Sequence, residues 1–244
     1  MNHYTILMTG HNSRPWIEGS VMSALRQDYE NFDVIAMDAQ TTDGTYEYLK
    51  EKEEEYENLT VVRNKIRQYQ PQNIYEGSRM AKDGSIVITL DFDDCLLHKD
   101  VLNTLNNYYN DDVWMTYGSY VKSSNGQVAG FGRYSDDVIK DNAFRRDQWR
   151  ATHLRTFRKE LYFNINEADL KNKNGEWFRV AGDLTFMWPM LEMCGERFEF
   201  IPEPLYIYNE GNQNSVNQSG RASEQLENEK NMRSKTPYQR LETL

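Results

Sequence analysis

The stretch Ile86-Val87-Ile88-Thr89-Leu90-Asp91-Phe92-Asp93-Asp94 constrains this chain more than any other. The residues leading into Asp91 are β-branched or leucine and none is charged, which is how a strand buried on both faces of a parallel sheet reads. The strand breaks off in three carboxylates with one aromatic between them. Open α/β sheets place their ligand sites just beyond the carboxyl ends of such strands. Carboxylates crowded there repel one another unless a cation sits between them, and hard divalent cations prefer oxygen ligands. The pattern points to a metal-assisted site for a phosphorylated ligand. A solvated acidic turn capping the next helix is the plainer alternative.

A chain of 244 residues can bury a real core in one large domain. Aromatic content of 13%, with 16 Tyr, sets it apart from disordered chains. A net charge of −10 argues against sequence-independent binding of polyanions by the surface as a whole. Cys95 and Cys194 make neither a disulfide framework nor a metal-ligand spacing, and they suit a reducing compartment. No basic region precedes an apolar N-terminal run, and no run reaches about 18 apolar residues. The expectation is a cytoplasmic protein without a transmembrane segment.

Strand and helix alternate up to Asp91. Strands are predicted at Tyr4 to Thr9, Phe32 to Met37, Leu59 to Arg63 and Ser85 to Leu90, with helices at Pro15 to Gln27, Thr45 to Glu53 and Asn73 to Ala81. Ile17, Val21 and Leu25 share the buried face of the first helix. Such alternation implies a parallel, right-handed α/β half. The pattern then changes. A helix at Val101 to Tyr109 precedes a strand at Trp114 to Tyr120 and a hairpin-type turn at Ser123-Ser124-Asn125-Gly126. Six basic residues (Arg145, Arg146, Arg150, Arg155, Arg158, Lys159) face one acid, Asp147, between Phe144 and Lys159. Asp183 to Met193 reads as a helix that Pro189 kinks or starts late. Short strands follow at Phe198 to Ile201 and Leu205 to Tyr208. Beyond Gly211 the chain is polar, a tail or surface arm with a helix at Ser223 to Met232.

Thr9-Gly10-His11-Asn12, the strand ending at Asp38 with Thr42-Asp43-Gly44-Thr45 after it, and Ala81-Lys82-Asp83-Gly84-Ser85-Ile86 running into Asp91-Phe92-Asp93-Asp94 resemble the family 2 glycosyltransferases. Thr152-His153-Leu154-Arg155-Thr156-Phe157, Gly182-Asp183 with Pro189-Met190-Leu191-Glu192-Met193, and Pro204-Leu205-Tyr206-Ile207-Tyr208-Asn209 are similar to a subgroup of that family found in bacteria and viruses. The resemblance implies a GT-A type α/β fold, a mostly parallel central sheet flanked by helices. It implies a single domain over residues 1–211, with a nucleotide-sugar-binding half at 1–95 and an acceptor half at 96–211, then a polar tail at 212–244. It also implies a hexosyl- or pentosyltransferase that moves a sugar from a nucleotide-sugar donor to an acceptor hydroxyl. Ala39 stands where the family usually has a second aspartate, which leaves the donor nucleotide open, with a UDP-sugar as the expectation.

The departing diphosphate calls for a divalent cation, Mn²⁺ or Mg²⁺, which Asp93 is best placed to hold, with Asp91 orienting the ribose or metal waters. Thr9, His11, Asp38, Asp43, Asp91, His153 and Arg155 are the other expected donor-binding residues. For Arg155 a phosphate contact competes with a surface salt bridge. Asp183 is the candidate general base, and a helix N-cap explains its position as well. A base opposite the leaving group implies single displacement with inversion. Trp114, Tyr117, Trp149 and Trp188 are stacking platforms or core. Glycan, lipid-linked sugar, protein and modified nucleic acid all stay open as acceptors, with the basic run from Arg145 to Lys159 keeping DNA in view. Three rivals remain. A phosphohydrolase of the haloacid dehalogenase type also uses Asp-x-Asp after a hydrophobic strand, but there the strand comes first and Asp94-Cys95 fits poorly. A sugar nucleotidyltransferase needs a glycine-rich basic first loop, and a non-catalytic nucleotide- or carbohydrate-binding module needs no turnover.

Overall fold

The computed structural model describes residues 1–212 and 221–244. Its first half is β1 (Tyr4–Gly10), α1 (Ile17–Leu25), β2 (Phe32–Asp38), α2 (Thr45–Glu55), β3 (Leu59–Arg63), α3 (Gln70–Met80) and β4 (Ile86–Asp91). These strands lie in the order β3-β2-β1-β4, all parallel, as the alternation predicts. Residues 4–8 and 86–90 are buried throughout, because helices cover both faces of the strands they form. Two glycines let the layers close. A Cβ on Gly77 of α3 would stand 2.3 Å from Leu7 Cδ1, and one on Gly10 would stand 2.4 Å from Phe92 Cβ. The second contact brings the end of β1 against the Asp91-Phe92-Asp93 turn.

The rest comprises β5 (Cys95–Leu96), α4 (Val101–Tyr108), β6 (Met115–Lys122), β7 (Val128–Ala129), α5 (Asp136–Lys140), β8 (Arg155–Arg158), α6 (Lys159–Phe163), a 3₁₀ turn at Glu167–Leu170, α7 (Gly182–Cys194), β9 (Phe198–Tyr208) and α8 (Ala222–Ser234). The sheet continues from β4 through β8, β6, β9 and β5, with β7 on the side of β6. β8 runs antiparallel to β4 and sets Arg155 opposite Thr89. The hairpin at Ser123–Gly126 is present, Gly126 taking φ 72° between β6 and β7.

Three features differ from the sequence reading. β8 lies inside the basic run, where charged ends on a four-residue strand mask the two buried residues Thr156 and Phe157. β9 is one strand of eleven residues rather than two; its pairing with β6 slips between Gly118 and Tyr120, opposite Pro202 and Pro204. Prolines lack the N–H a regular ladder needs, and a bulge accommodates them. α7 starts at Gly182 and continues through Pro189 to Cys194 as a helix.

The basic run does not form a basic face. Arg145 pairs with Glu192, Arg150 with Asp147, Arg155 with Asp183, and Lys159 with Asp83. Arg158 donates to the carbonyls of Val113 and Asn110. Arg146 is the one exposed residue of the six. The feature that kept DNA in view is therefore consumed by folding. Trp114, Tyr117 and Trp188 are core residues, and Trp149 packs edge-on against Trp188 at 5.6 Å.

A buried ion pair is among the contacts that tie down the C-terminal arm, beside Lys235 with Asp169 and the buried Met232. Glu192 is fully buried and accepts from Arg145 Nε (2.6 Å), Arg145 Nη2 (2.9 Å) and the Tyr238 backbone N–H (2.9 Å). Arg145 Nη1 donates to the Met232 carbonyl of α8 at 2.6 Å. Glu192→Ala would leave a buried guanidinium without its counter-charge, at a cost of about 3–5 kcal/mol. Urea unfolding should show that loss; an unchanged midpoint and slope would mean that the pair does not anchor the arm.

Candidate active site

The carboxyl ends of β1 and β4 open into a cavity of about 740 Å³. Its wall includes Thr9, His11, Asp91, Asp93, Asp94, His153, Arg155 and Asp183, which come from the end of β1 and the loop after it, the end of β4 and the turn after it, the start of β8 and the loop before it, and α7. Eight of the residues singled out in the sequence thus meet in one place.

The centre is the carboxylate triplet. Asp91 accepts from Gln70 Nε2 at 2.9 Å and from Thr9 Oγ1 at 3.4 Å. Asp93 accepts from Asn212 Nδ2 at 2.7 Å. Asp94 is buried and accepts from the Tyr206 hydroxyl and the Asn209 backbone N–H, both at 2.6 Å. Every one of these donors is neutral. Burial, reinforced by Asp93, pushes the Asp91 carboxyl up to about 6. Burial raises Asp93, and burial with the charges of Asp93 and Asp91 raises Asp94 well above the usual carboxylate range. Desolvated carboxylates with neutral partners suit an added cation. Among the described residues, no three His, Cys, Asp or Glu side chains are arranged to hold a metal ion by themselves. That donor set suits Mg²⁺ or Mn²⁺, which take one or two carboxylates and complete their shell with substrate phosphates and water. Asp93 and Asp91 are the residues that fit.

The second pole is Asp183. It is the second residue of α7, and Ala181 before the helix adopts φ 55°, a left-handed conformation that is uncommon outside glycine. Arg155 Nη2 donates to Asp183 Oδ2 at 2.8 Å, and the Leu184 N–H donates to Oδ1 at 3.1 Å. The Arg155 side chain is 6% exposed and Asp183 is 24% exposed, so the cation is enclosed while the carboxylate stays within reach of a hydroxyl. Of the two roles weighed for Arg155, the structure displays an ion pair, and it is a buried one.

His153 stacks on Tyr206 at 4.4 Å, and burial holds its imidazole well below the ordinary pKa. His11 uses Nδ1 to meet the Ala39 carbonyl at 2.9 Å, and burial again lowers its pKa. Asp38 and Asp43 are not part of the cavity wall. Asp38 is fully buried, accepts from the Thr41 N–H at 3.2 Å and lies 3.5 Å from Arg63 Nε. Asp43 accepts from the backbone N–H groups of Arg14 and Thr45 and from Thr45 Oγ1, fixing the start of α2.

Several cavity residues carried no sequence signal. Gln70, Arg67 and Tyr69 come from an irregular loop and the first residue of α3, while Arg179 and Asn212 follow no motif. Tyr206 lay within Pro204–Asn209, yet its partnership with Asp94 across 112 positions is a tertiary fact.

The glycosyl transferase family 2 pattern matches residues 5–168. Solved structures similar in fold include two nucleotide-sugar complexes. S. aureus TarS, residues 1–349, in complex with UDP-GlcNAc gives a TM-score of 0.65 at 15% identity, covering 86% of this chain and 59% of that one. The mannosyltransferase PcManGT from Pyrobaculum calidifontis, in complex with GDP-Man and Mn²⁺, gives 0.65 at 18% identity, covering 97% of this chain and 66% of that one. The chain thus spans about three fifths of the TarS 1–349 structure. No curated protein matches by sequence.

The raised Asp91 carboxyl sets a pH dependence for the metal-free protein. Its folded pKa of about 6 exceeds the ordinary 3.8, so the folded state is penalised as pH rises between those values. Asp91→Asn removes the penalty. The variant should be more stable than the parent above pH 6, by up to about 3 kcal/mol, with the advantage fading towards pH 4. Thermal unfolding of the two proteins in chelator across that window checks this. An advantage that grows on acidification would contradict it.

Proposed function

The chain belongs to glycosyl transferase family 2, and from that premise we propose that it is a metal-dependent, inverting glycosyltransferase acting on a nucleotide-sugar donor, a UDP-sugar in the first instance. The observation that carries this reading is one cavity with a carboxylate pair, Asp91 and Asp93, at the end of β4 and an accessible carboxylate, Asp183, on α7. Family membership leaves the phosphohydrolase reading without support.

In this reading Asp93, with Asp91 beside it, would hold Mn²⁺ or Mg²⁺, which would supply neutralisation of the leaving diphosphate. Gln70 and Thr9 hold Asp91 in place by hydrogen bonds, and Tyr206 and the Asn209 N–H hold Asp94. Asp183 takes the proton of the acceptor hydroxyl as that oxygen attacks the anomeric carbon from the side opposite the diphosphate. Arg155 keeps Asp183 oriented. Thr9 and His11 line the donor end, and His153 forms wall with its stacked ring. Asp38 and Asp43 support the donor loop from behind it rather than by touching the nucleotide. The proposed division keeps the glycosyltransferase domain at residues 1–211, with 212–244 as an arm docked against its core through Met232 and Tyr238, and the acceptor is a glycan, a lipid-linked sugar, a protein or a modified nucleic acid. Among the described residues no helix is long and apolar enough to cross a membrane; a cytoplasmic location is part of the proposal.

Release of nucleoside diphosphate from a panel of nucleotide sugars tests the donor half without an acceptor. It should require Mn²⁺ or Mg²⁺ and stop in chelator, and Asp93→Asn should lower it on the order of a thousandfold. Full turnover in chelator would remove the metal from the mechanism.

The base has its own test. Asparagine at 183 keeps one oxygen for Arg155 but loses the charge and the second acceptor used by the Leu184 N–H, so a stability loss of about 1–3 kcal/mol is expected from the weakened bonds. It cannot accept the proton, so transfer should drop by roughly a hundred to ten thousandfold while donor binding persists. Asp183→Asn transferring at the parent rate would leave Asp183 a purely structural residue.

A further inference from the structure

Two arginines at the cavity wall, Arg67 and Arg179, differ from the paired arginines of the basic run. The Arg67 and Arg179 guanidiniums each lie 5.5 Å from the centroid of the Tyr69 ring. Both side chains are exposed, and all three residues line the cavity. Among the described residues, neither guanidinium takes part in an ion pair or a hydrogen bond; the shared ring is their contact. Arg145, Arg150, Arg155 and Arg158 by contrast are spent on carboxylates and carbonyls. In a chain of net charge −10, two cations thus share one ring at the cavity wall with no ion-paired carboxylate among the described residues. A guanidinium beside an aromatic ring keeps its N–H fork, the group that recognises carboxylate or phosphate in a planar, bidentate way.

We propose that Arg67, Tyr69 and Arg179 form a clamp for an oxyanion, a phosphate or carboxylate group, carried by the acceptor. The proposal rests on the transferase reading above. Residues 179–183 line the cavity without a break, so Arg179 opens the segment that ends in Asp183. A group gripped by Arg179 is held on the same piece of chain that presents the base. The leaving diphosphate would be met by the cation that Asp91 and Asp93 are proposed to hold, on β4 and the turn after it rather than on the 179–183 segment. A negatively charged acceptor would be drawn to the clamp although the protein as a whole repels it, which confines its docking to this rim.

The clamp is tested by calorimetric titration of inorganic phosphate into the full chain in Mg²⁺, with and without saturating UDP, or GDP where UDP does not bind. Phosphate should bind the nucleotide-saturated protein. Arg67→Gln and Arg179→Gln should each weaken that binding by about tenfold or more, the worth of one charge-assisted bidentate contact. Arg79→Gln, whose guanidinium stacks on Tyr75 outside the cavity, should bind as the parent does. Phosphate that binds only nucleotide-free protein and is displaced by nucleotide would give the clamp to the donor diphosphate and overturn the acceptor assignment. No binding, or binding unchanged in both variants, would overturn the clamp itself. Nucleoside diphosphate release from nucleotide sugars, read on the same preparations, reports on the transferase reading separately because it needs no acceptor.

Discussion

Desolvated negative charge at the end of β4 is the constraint that the surrounding structure answers. Asp91, Asp93 and Asp94 are crowded onto one turn, and burial disfavours their ionised forms. The fold meets them with a donor from almost every neighbouring element: Thr9 from β1, Gln70 from α3, Tyr206 from β9, then Asn209 and Asn212 beyond it. Gly10 lacks a side chain where the Phe92 ring must lie, so the turn can reach the end of β1 at all. None of these donors brings a charge. The nearest buried cation, Arg155, is committed to Asp183. The site is therefore built with unneutralised charge in its middle, an arrangement that lowers stability and makes a ligand cation welcome.

The first half of the fold was legible because its signals are local. Each strand from β1 to β4 is a short apolar run bounded by turn residues, and each helix repeats its apolar positions within a few turns. The second half depends on pairings that no short window contains. β8 carries arginine at both ends and is a strand only because β4 and β6 flank it. The fate of the basic run was illegible for the same reason, since Glu192 and Asp183 lie far along the chain from the arginines they neutralise.

The site shows a finer limit. A motif tells where a residue sits along the sheet edge, not which way its side chain turns. Asp38 ends β2 beside Gly10 on β1, yet its carboxylate is buried against the Thr41 N–H and Arg63. Asp43 sits in the loop that follows and serves the start of α2. What faces the cavity from β2 is Ala39, whose carbonyl accepts from His11. A methyl group rather than a carboxylate thus lies at this edge of the cavity, next to His11.

Asp183 shows that two readings of one residue need not exclude each other. A carboxylate offers about four lone-pair positions on two oxygens. Here one oxygen receives Arg155 and the other receives the Leu184 N–H, so half of that capacity serves structure. The remainder is available at a side chain that is partly exposed to the cavity. Structural bonds to both oxygens fix the plane of the carboxylate, and a fixed plane is what a general base requires if its free lone pair is to meet an incoming hydroxyl. Arg155 is itself held by the Ala151 carbonyl at 2.9 Å and by its place on β8, opposite Thr89 of the central strand. The orientation of the Asp183 carboxylate on α7 is thus referenced to β4, the strand that carries Asp91, and the two poles of the site share one rigid frame.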